Sequence, residues 1–156
     1  MMTPVDLDKQ KVESVTRQLA TSLADMHLVY GHLHALHWNI EGTDFLTYHR
    51  ELQTMYEQIA EFIDDTAERI LMLGNRPPTT FKEYLEISDL DELSSRKYEV
   101  GETIDLVLGD LNHMISRMRE LIAGANDAND EGTADFGIQM LRDFEKARWF
   151  WSAMKA

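Results

Sequence analysis

Gly74-Asn75-Arg76-Pro77-Pro78-Thr79-Thr80-Phe81-Lys82-Glu83 is the stretch that decides the fold. A glycine can take the left-handed conformation that closes a helix, and two prolines just beyond it prevent the helix from continuing. Thr80 and Glu83 then stand at capping-box spacing, each able to satisfy a free backbone N–H of the other's turn. The stretch therefore ends one helix and opens a short one running to about Glu86.

Long helices are expected on both sides. From Val5 to Asn39 there is no proline and only Gly31, and Val12, Val15, Leu19, Leu23, Met26, Tyr30, Leu33 and Leu36 recur at three- and four-residue steps. That period marks one apolar face of a helix. Glu41-Gly42-Thr43-Asp44 reads as a turn, with Asp44 or Thr43 a candidate N-cap. A second helix should run from about Phe45 to Leu73 on a stripe of Leu52, Met55, Ile59, Phe62, Ile63, Thr66, Ile70 and Leu73. A third should span about Ser95 to Ala123, with Val100, Ile104, Val107, Leu108, Leu111, Ile115, Met118 and Ile122 inward. After a polar link, Gly124 to Gly132, a last helix should cover about Thr133 to Met154. No stretch alternates with the period of a strand. The expectation is an all-α chain, one domain over residues 1–156: a ferritin-like four-helix bundle with a short helix in the long crossover between the second and third helices.

Composition narrows the function. There is no cysteine, which removes disulfides, thiolate ligands and thiol catalysis. Twenty-eight acidic residues against 15 basic ones give a net charge of −13, which repels nucleic-acid phosphates and suits cations. Met1 to Lys11 is polar, without the apolar centre of a signal peptide, and no apolar run reaches membrane-span length. A cytoplasmic chain with no membrane partner is expected.

Five of the six histidines fall between His27 and His49, followed down the second helix by Glu57, Glu61, Asp64, Asp65 and Glu68. Imidazole with carboxylate suits first-row transition metals, iron and other divalent cations such as zinc. At about 100° per residue, His49, Gln53, Asp64 and Glu68 project at roughly 0°, 40°, 60° and 100°, so they share a face. Along the axis, though, His49 and Asp64 are about 22 Å apart, beyond the reach of one ion. Two readings stay open. Either Asp64 and Glu68 are a solvated (i, i+4) pair, or they are half of a site that an antiparallel second copy completes with His49 and His37. No Glu-x-x-His occurs, which disfavours a di-iron centre inside one bundle. The single pairs Asp110-x-x-His113 and His34-x-x-His37 are weak metal signals.

The blocks His37-Trp38-Asn39-Ile40-Glu41-Gly42, Phe45, His49 and Asp64-Asp65-Thr66-Ala67-Glu68-Arg69-Ile70 with Gly74 resemble the signature of the Dps family, the miniferritins named DNA-binding protein from starved cells. Thr80 to Glu86 is similar to the family's crossover helix, and Trp149-Phe150 to its C-terminal aromatic pair. The resemblance covers nearly the whole chain. It implies a dodecameric homo-oligomer built from two-fold dimers, a ferroxidase that oxidises Fe(II), preferably with hydrogen peroxide, and stores ferric mineral inside. It implies that His37 and His49 of one subunit, with Asp64 and Glu68 of its partner, are both metal ligands and catalytic residues. Trp38 would lie beside them, and Asp127, Asp130, Glu131 and Asp135 would line a cation pore. One position departs from the pattern. Gln53 stands where the family carries Asp, which puts a second iron position in question, and Glu57 one turn on is a candidate substitute. Direct DNA binding is not expected, because neither terminus is rich in Lys or Arg. The rival readings are an acidic metal-binding shell without efficient ferroxidase activity and a DNA-protecting protein.

Overall fold

The computed structural model describes all residues, Met1–Ala156. Four long helices form the body: α1 (Lys9–Asn39), α2 (Phe45–Met72), α4 (Val100–Asp127) and α5 (Glu131–Lys155), with the short α3 (Phe81–Ile87) inside the connection from α2 to α4. α1 lies along α2 and α4, α5 along α4, and α3 rests on α1. This is the expected ferritin-like arrangement. The apolar stripes meet in one core in which Leu19, Leu23, Leu33, Leu36, Leu52, Ile70, Val107 and Met118 are fully buried. Each large aliphatic side chain removed from water contributes about 1.5–3 kcal/mol, so the stripes outweigh local propensity in fixing the bundle. Phe62 and Ile63 are half-buried, as are Val100, Leu108, Ile115 and Ile122. No helix is long and apolar enough to cross a membrane.

The boundaries follow the caps. α1 begins at Lys9 rather than nearer Val5, because the Asp8 carboxylate accepts from the Lys11 N–H. Thr80 and Glu83 close the anticipated capping box on α3. Gly74 ends α2 at φ +85°, where a Cβ would stand 2.9 Å from the Pro4 ring. Asp44 occupies the N-cap position of α2, but in the left-handed region at φ +61° and without a side-chain cap bond.

Two expectations are corrected. The chain does contain strands: β1 (Ile40–Glu41) pairs in parallel with β2 (Tyr98–Glu99), Ile40 opposite Tyr98. Ser95 to Glu99 is accordingly drawn out of the third long helix, which starts only at Val100. That helix also runs through Gly124 to Asp127 instead of stopping at Ala123. Gly124 is there for close approach, since a Cβ would fall 2.1 Å from the Gln18 Oε1 of α1.

The crossover is tied to the bundle by Asp25, which is 0% exposed on α1. Its carboxylate accepts from Ser88 Oγ (2.6 Å), His113 Nε2 (2.7 Å) and Arg117 Nε (2.9 Å), and Arg117 also reaches Asp89 at 2.7 Å. A buried carboxylate is tolerated only when its acceptor sites are filled in this way.

Candidate metal centre

The turn between α1 and α2 brings His37, in the last turn of the first helix, against His49, in the second turn of the next. The rings stack at 3.7 Å between centroids, 12° from parallel. Each donates to the other's backbone: His37 Nδ1 to the His49 carbonyl at 2.7 Å, and His49 Nδ1 to the His37 carbonyl at 2.8 Å. A carbonyl can only accept, so both Nδ1 atoms carry the hydrogen. In the neutral form of either ring, Nε2 is then the lone-pair nitrogen, oriented by a hydrogen bond on its far side, as in metal-ligating histidines. Burial holds His37 below the usual histidine range. The His49 carbonyl pushes it the other way, and the His49 ring adds to the lowering.

An aromatic wall backs the pair. Tyr56 meets the His37 ring edge-on at 5.2 Å, His34 packs on Tyr56 at 4.4 Å, and Phe45 lies 5.0 Å from His49. Trp38, 69% exposed, stacks on His34 at 4.7 Å. Burial first, and then the neighbouring His37, lower His34. His34 is thus packed among rings.

The acidic half lies further down α2. Carboxylate oxygens of Asp64, Asp65 and Glu68 approach within 4.8 Å of one another, and all three residues are exposed. Asp65 was not singled out as a ligand from the sequence, because it stands about 100° from Asp64 on the helical wheel and joins the group through side-chain reach. No cation neutralises the trio. Arg69, adjacent in sequence, turns away to Asp130 at 2.7 Å and Thr133 at 2.9 Å. Within one chain the imidazole pair and the acidic trio stay about 22 Å apart, fifteen residues along one helix. Gln53 Nε2 donates to Glu57 Oε1 at 2.9 Å, so the two residues considered for a second metal position are engaged with each other.

Several other polar candidates have structural roles. Asp110 pairs with His32 and His113 with Asp25, so Asp110-x-x-His113 is no metal pair. His27 stacks on Tyr84 at 3.8 Å. Asp130 does not join an exposed acidic face. It is 1% exposed, caps α5 through the Thr133 N–H and hydroxyl, and holds Arg69. Asp127, Glu131 and Asp135 remain exposed.

A bundle with one long crossover, an imidazole pair where its first two helices meet and carboxylates further along the second defines a ferritin-like protein, and the ferritin-like domain family model matches residues 16–155. Similarity to known proteins narrows the class. The DNA protection during starvation protein of Porphyromonas gingivalis is 35% identical over 150 residues, 94% of this chain and 92% of that one. The DNA protection during starvation protein 2 of Bacillus anthracis is 32% identical, over 92% and 94% of the two chains. The crystal structure of the Dps protein from Vibrio cholerae, described as a member of the ferritin-like diiron-carboxylate superfamily, superposes with a TM-score of 0.95 at 25% identity, covering 99% of this chain and 97% of that one. The chain belongs to the Dps family.

Proposed function

We propose that this protein is a ferroxidase miniferritin, taking Fe(II) as substrate at a site shared between two copies and storing the ferric product inside a hollow dodecameric shell. The observation that carries the reading is the split site. The end of α1 and the start of α2 present the His37 and His49 Nε2 donors together, the far part of α2 presents three carboxylates, and an antiparallel second copy closes the gap. His37 and His49 of one subunit would meet Asp64 and Glu68 of the partner subunit, with Asp65 beside them. Carboxylates favour the ferric state, and neutral imidazoles complete an open coordination sphere. Hydrogen peroxide is the proposed oxidant: two Fe(II) each lose one electron, the O–O bond accepts both, and two protons complete two waters. The acidic residues Asp127, Glu131 and Asp135 would raise the local Fe(II) concentration by focusing the field. With −13 per subunit, direct DNA binding is not part of the reading. The proposed setting is the cytoplasm.

One observation favours a second reading. Gln53 offers an amide, already bonded to Glu57, in place of a bridging carboxylate. The alternative is an acidic shell that binds iron, zinc or similar cations without efficient oxidation.

Stopped-flow absorbance of ferric product after mixing with Fe(II) and peroxide, or Fe(II) and oxygen, separates the two. Ferroxidase function requires a rate above that of protein-free solution, falling at least about tenfold in Glu68→Ala, the scale of losing one ligand. A rate equal to the protein-free one, or unchanged in the variant, refutes it. So does an 18.1 kDa monomer as the stable species in solution.

A further inference from the structure

The crossover between α3 and β2 carries a second feature. We propose that His32, Asp110 and the Asp91 carbonyl form a proton-held clip that fastens the crossover to the bundle and, on losing its proton, releases one wall of a cavity beside α3.

The His32 ring is buried between three elements. On one side Nδ1 lies 2.9 and 3.1 Å from the two carboxylate oxygens of Asp110 on α4. On the other, Nε2 lies 2.6 Å from the Asp91 carbonyl in the crossover. The carbonyl has no proton to give, so Nε2–H must donate. A neutral ring would then aim its Nδ1 lone pair at a carboxylate, a repulsive contact at this distance. The geometry is satisfied only if the His32–Asp110 pair holds one further proton between its members.

The charged and titratable surroundings agree. Asp110 faces the ring from α4 and Glu92 from the crossover, while His27 of α1 and Tyr84 of α3 share the adjoining cavity. No cation other than His27 is among these groups, and burial keeps His27 below its ordinary value. For His32, burial pulls downward, but Asp110, the Asp91 carbonyl and Glu92 together raise it above the ordinary 6.5. The sign follows: the clip is fully made below the unfolded-state value and is lost as pH rises through the higher folded one.

What the clip holds is narrow. Ser88 and Asp89 are fixed separately by Asp25 and Arg117. Ser94 is fixed by the Tyr98 hydroxyl at 2.7 Å. Between them, the Asp91 carbonyl bonded to His32 is the only hydrogen bond from residues 90–93 to another element. Glu92 and Leu93 form one wall of a solvent-open cavity of about 250 Å3, lined otherwise by residues 27–32 of α1 and 81–85 of α3. Loss of the proton frees that wall alone, while the anchors on either side remain.

Cleavage after Glu92 by a glutamate-specific protease on the assembled protein, corrected for the protease's own pH profile on a free peptide, tests this. From about pH 6 to about pH 9 that cleavage should rise at least about tenfold, the worth of one hydrogen bond to a charged group, while cleavage after Glu102 in α4 stays slow. Histidine nitrogen shifts should place the His32 titration above 6.5, and the Asp91 carbonyl-carbon shift should move at the same midpoint. Asp110→Asn, which offers a neutral partner, should move both midpoints down together, and His32→Gln should make cleavage after Glu92 independent of pH. Cleavage rising identically in His32→Gln, or His32 titrating at or below 6.5 in the native protein, overturns the proposal. Should His32→Gln fail to fold, the coincidence or separation of the two midpoints in native protein and Asp110→Asn decides.

Discussion

If the site is divided between copies, two inactive variants should restore each other in a defined proportion. His49→Ala removes the imidazole half and Glu68→Ala the carboxylate half, and each alone should leave both sites of a two-fold dimer broken. In a mixed dimer the halves recombine unequally. One site joins the damaged imidazole half of the first chain to the damaged acidic half of the second, and is doubly broken. The other joins the intact imidazole half of the second chain to the intact acidic half of the first, and is whole. Random pairing makes about half the dimers mixed, each with one good site of two, so dissociation and reassembly of an equimolar mixture should recover roughly one quarter of the wild-type rate. The assay is initial ferric absorbance after Fe(II) and peroxide, before and after reassembly, with the single variants treated identically. The two residues lie nineteen positions apart on an uninterrupted α2, about 28 Å along its axis, so no rotamer change lets one chain supply both. Recovery no greater than the sum of the single variants would refute the division. Full recovery without reassembly would refute it as well, because intact dimers cannot exchange halves.

Three further outcomes are expected. Gln53→Asp removes the amide bonded to Glu57 and adds a carboxylate on the His49 face, so isothermal titration should show more Fe(II) bound per site and a faster oxidation phase. Arg69→Ala leaves the Asp130 carboxylate, 1% exposed and paired at 2.7 Å, with only its Thr133 bonds, at a cost of about 3 kcal/mol, the upper end for a hydrogen bond between charged groups. At about 2–4 °C per kcal/mol that lowers Tm by roughly 6–12 °C at fixed subunit concentration, measurable by calorimetry. Because burial depresses His37, its ring stays neutral below the ordinary histidine value, so Fe(II) affinity should persist through pH 6.5 and fall only at more acid pH.

Helix existence was legible because it rests on a period, and a period is local. The stripe from Val12 to Leu36 and the Thr80–Glu83 box carry their own geometry, and both stand in the structure as read. Errors arose where a partner distant in sequence outbid the local pattern. Tyr98 pairs with Ile40, 58 residues away, and takes Ser95 to Glu99 out of the helix, through a bend into a two-residue strand that no alternation could announce. Gly124 looks like a helix breaker, yet α4 passes through it because Gln18 of α1 needs the space a side chain would take.

The same distinction runs through the histidines. A straight helix is a ruler, and its rise per residue alone separates His49 from Asp64 before any coordinates exist. Which acceptor a given imidazole finds is not local information. His32 and Asp110 lie 78 residues apart, and His113 and Asp25 lie 88 apart. His37 and His49 differ because each finds the other's carbonyl across a turn of twelve residues, short enough for the sequence to suggest that they meet. The stacking and the reciprocal bonds that fix both tautomers required the turn itself, with Asp44 at positive φ and Ile40 held in its short ladder. The two-residue strand pair that the sequence hid is therefore part of what aims the donors. A substitution that weakens the Ile40–Tyr98 pairing should disturb the imidazole half of the proposed centre, read as slower ferric absorbance after Fe(II) and peroxide, without touching a proposed ligand.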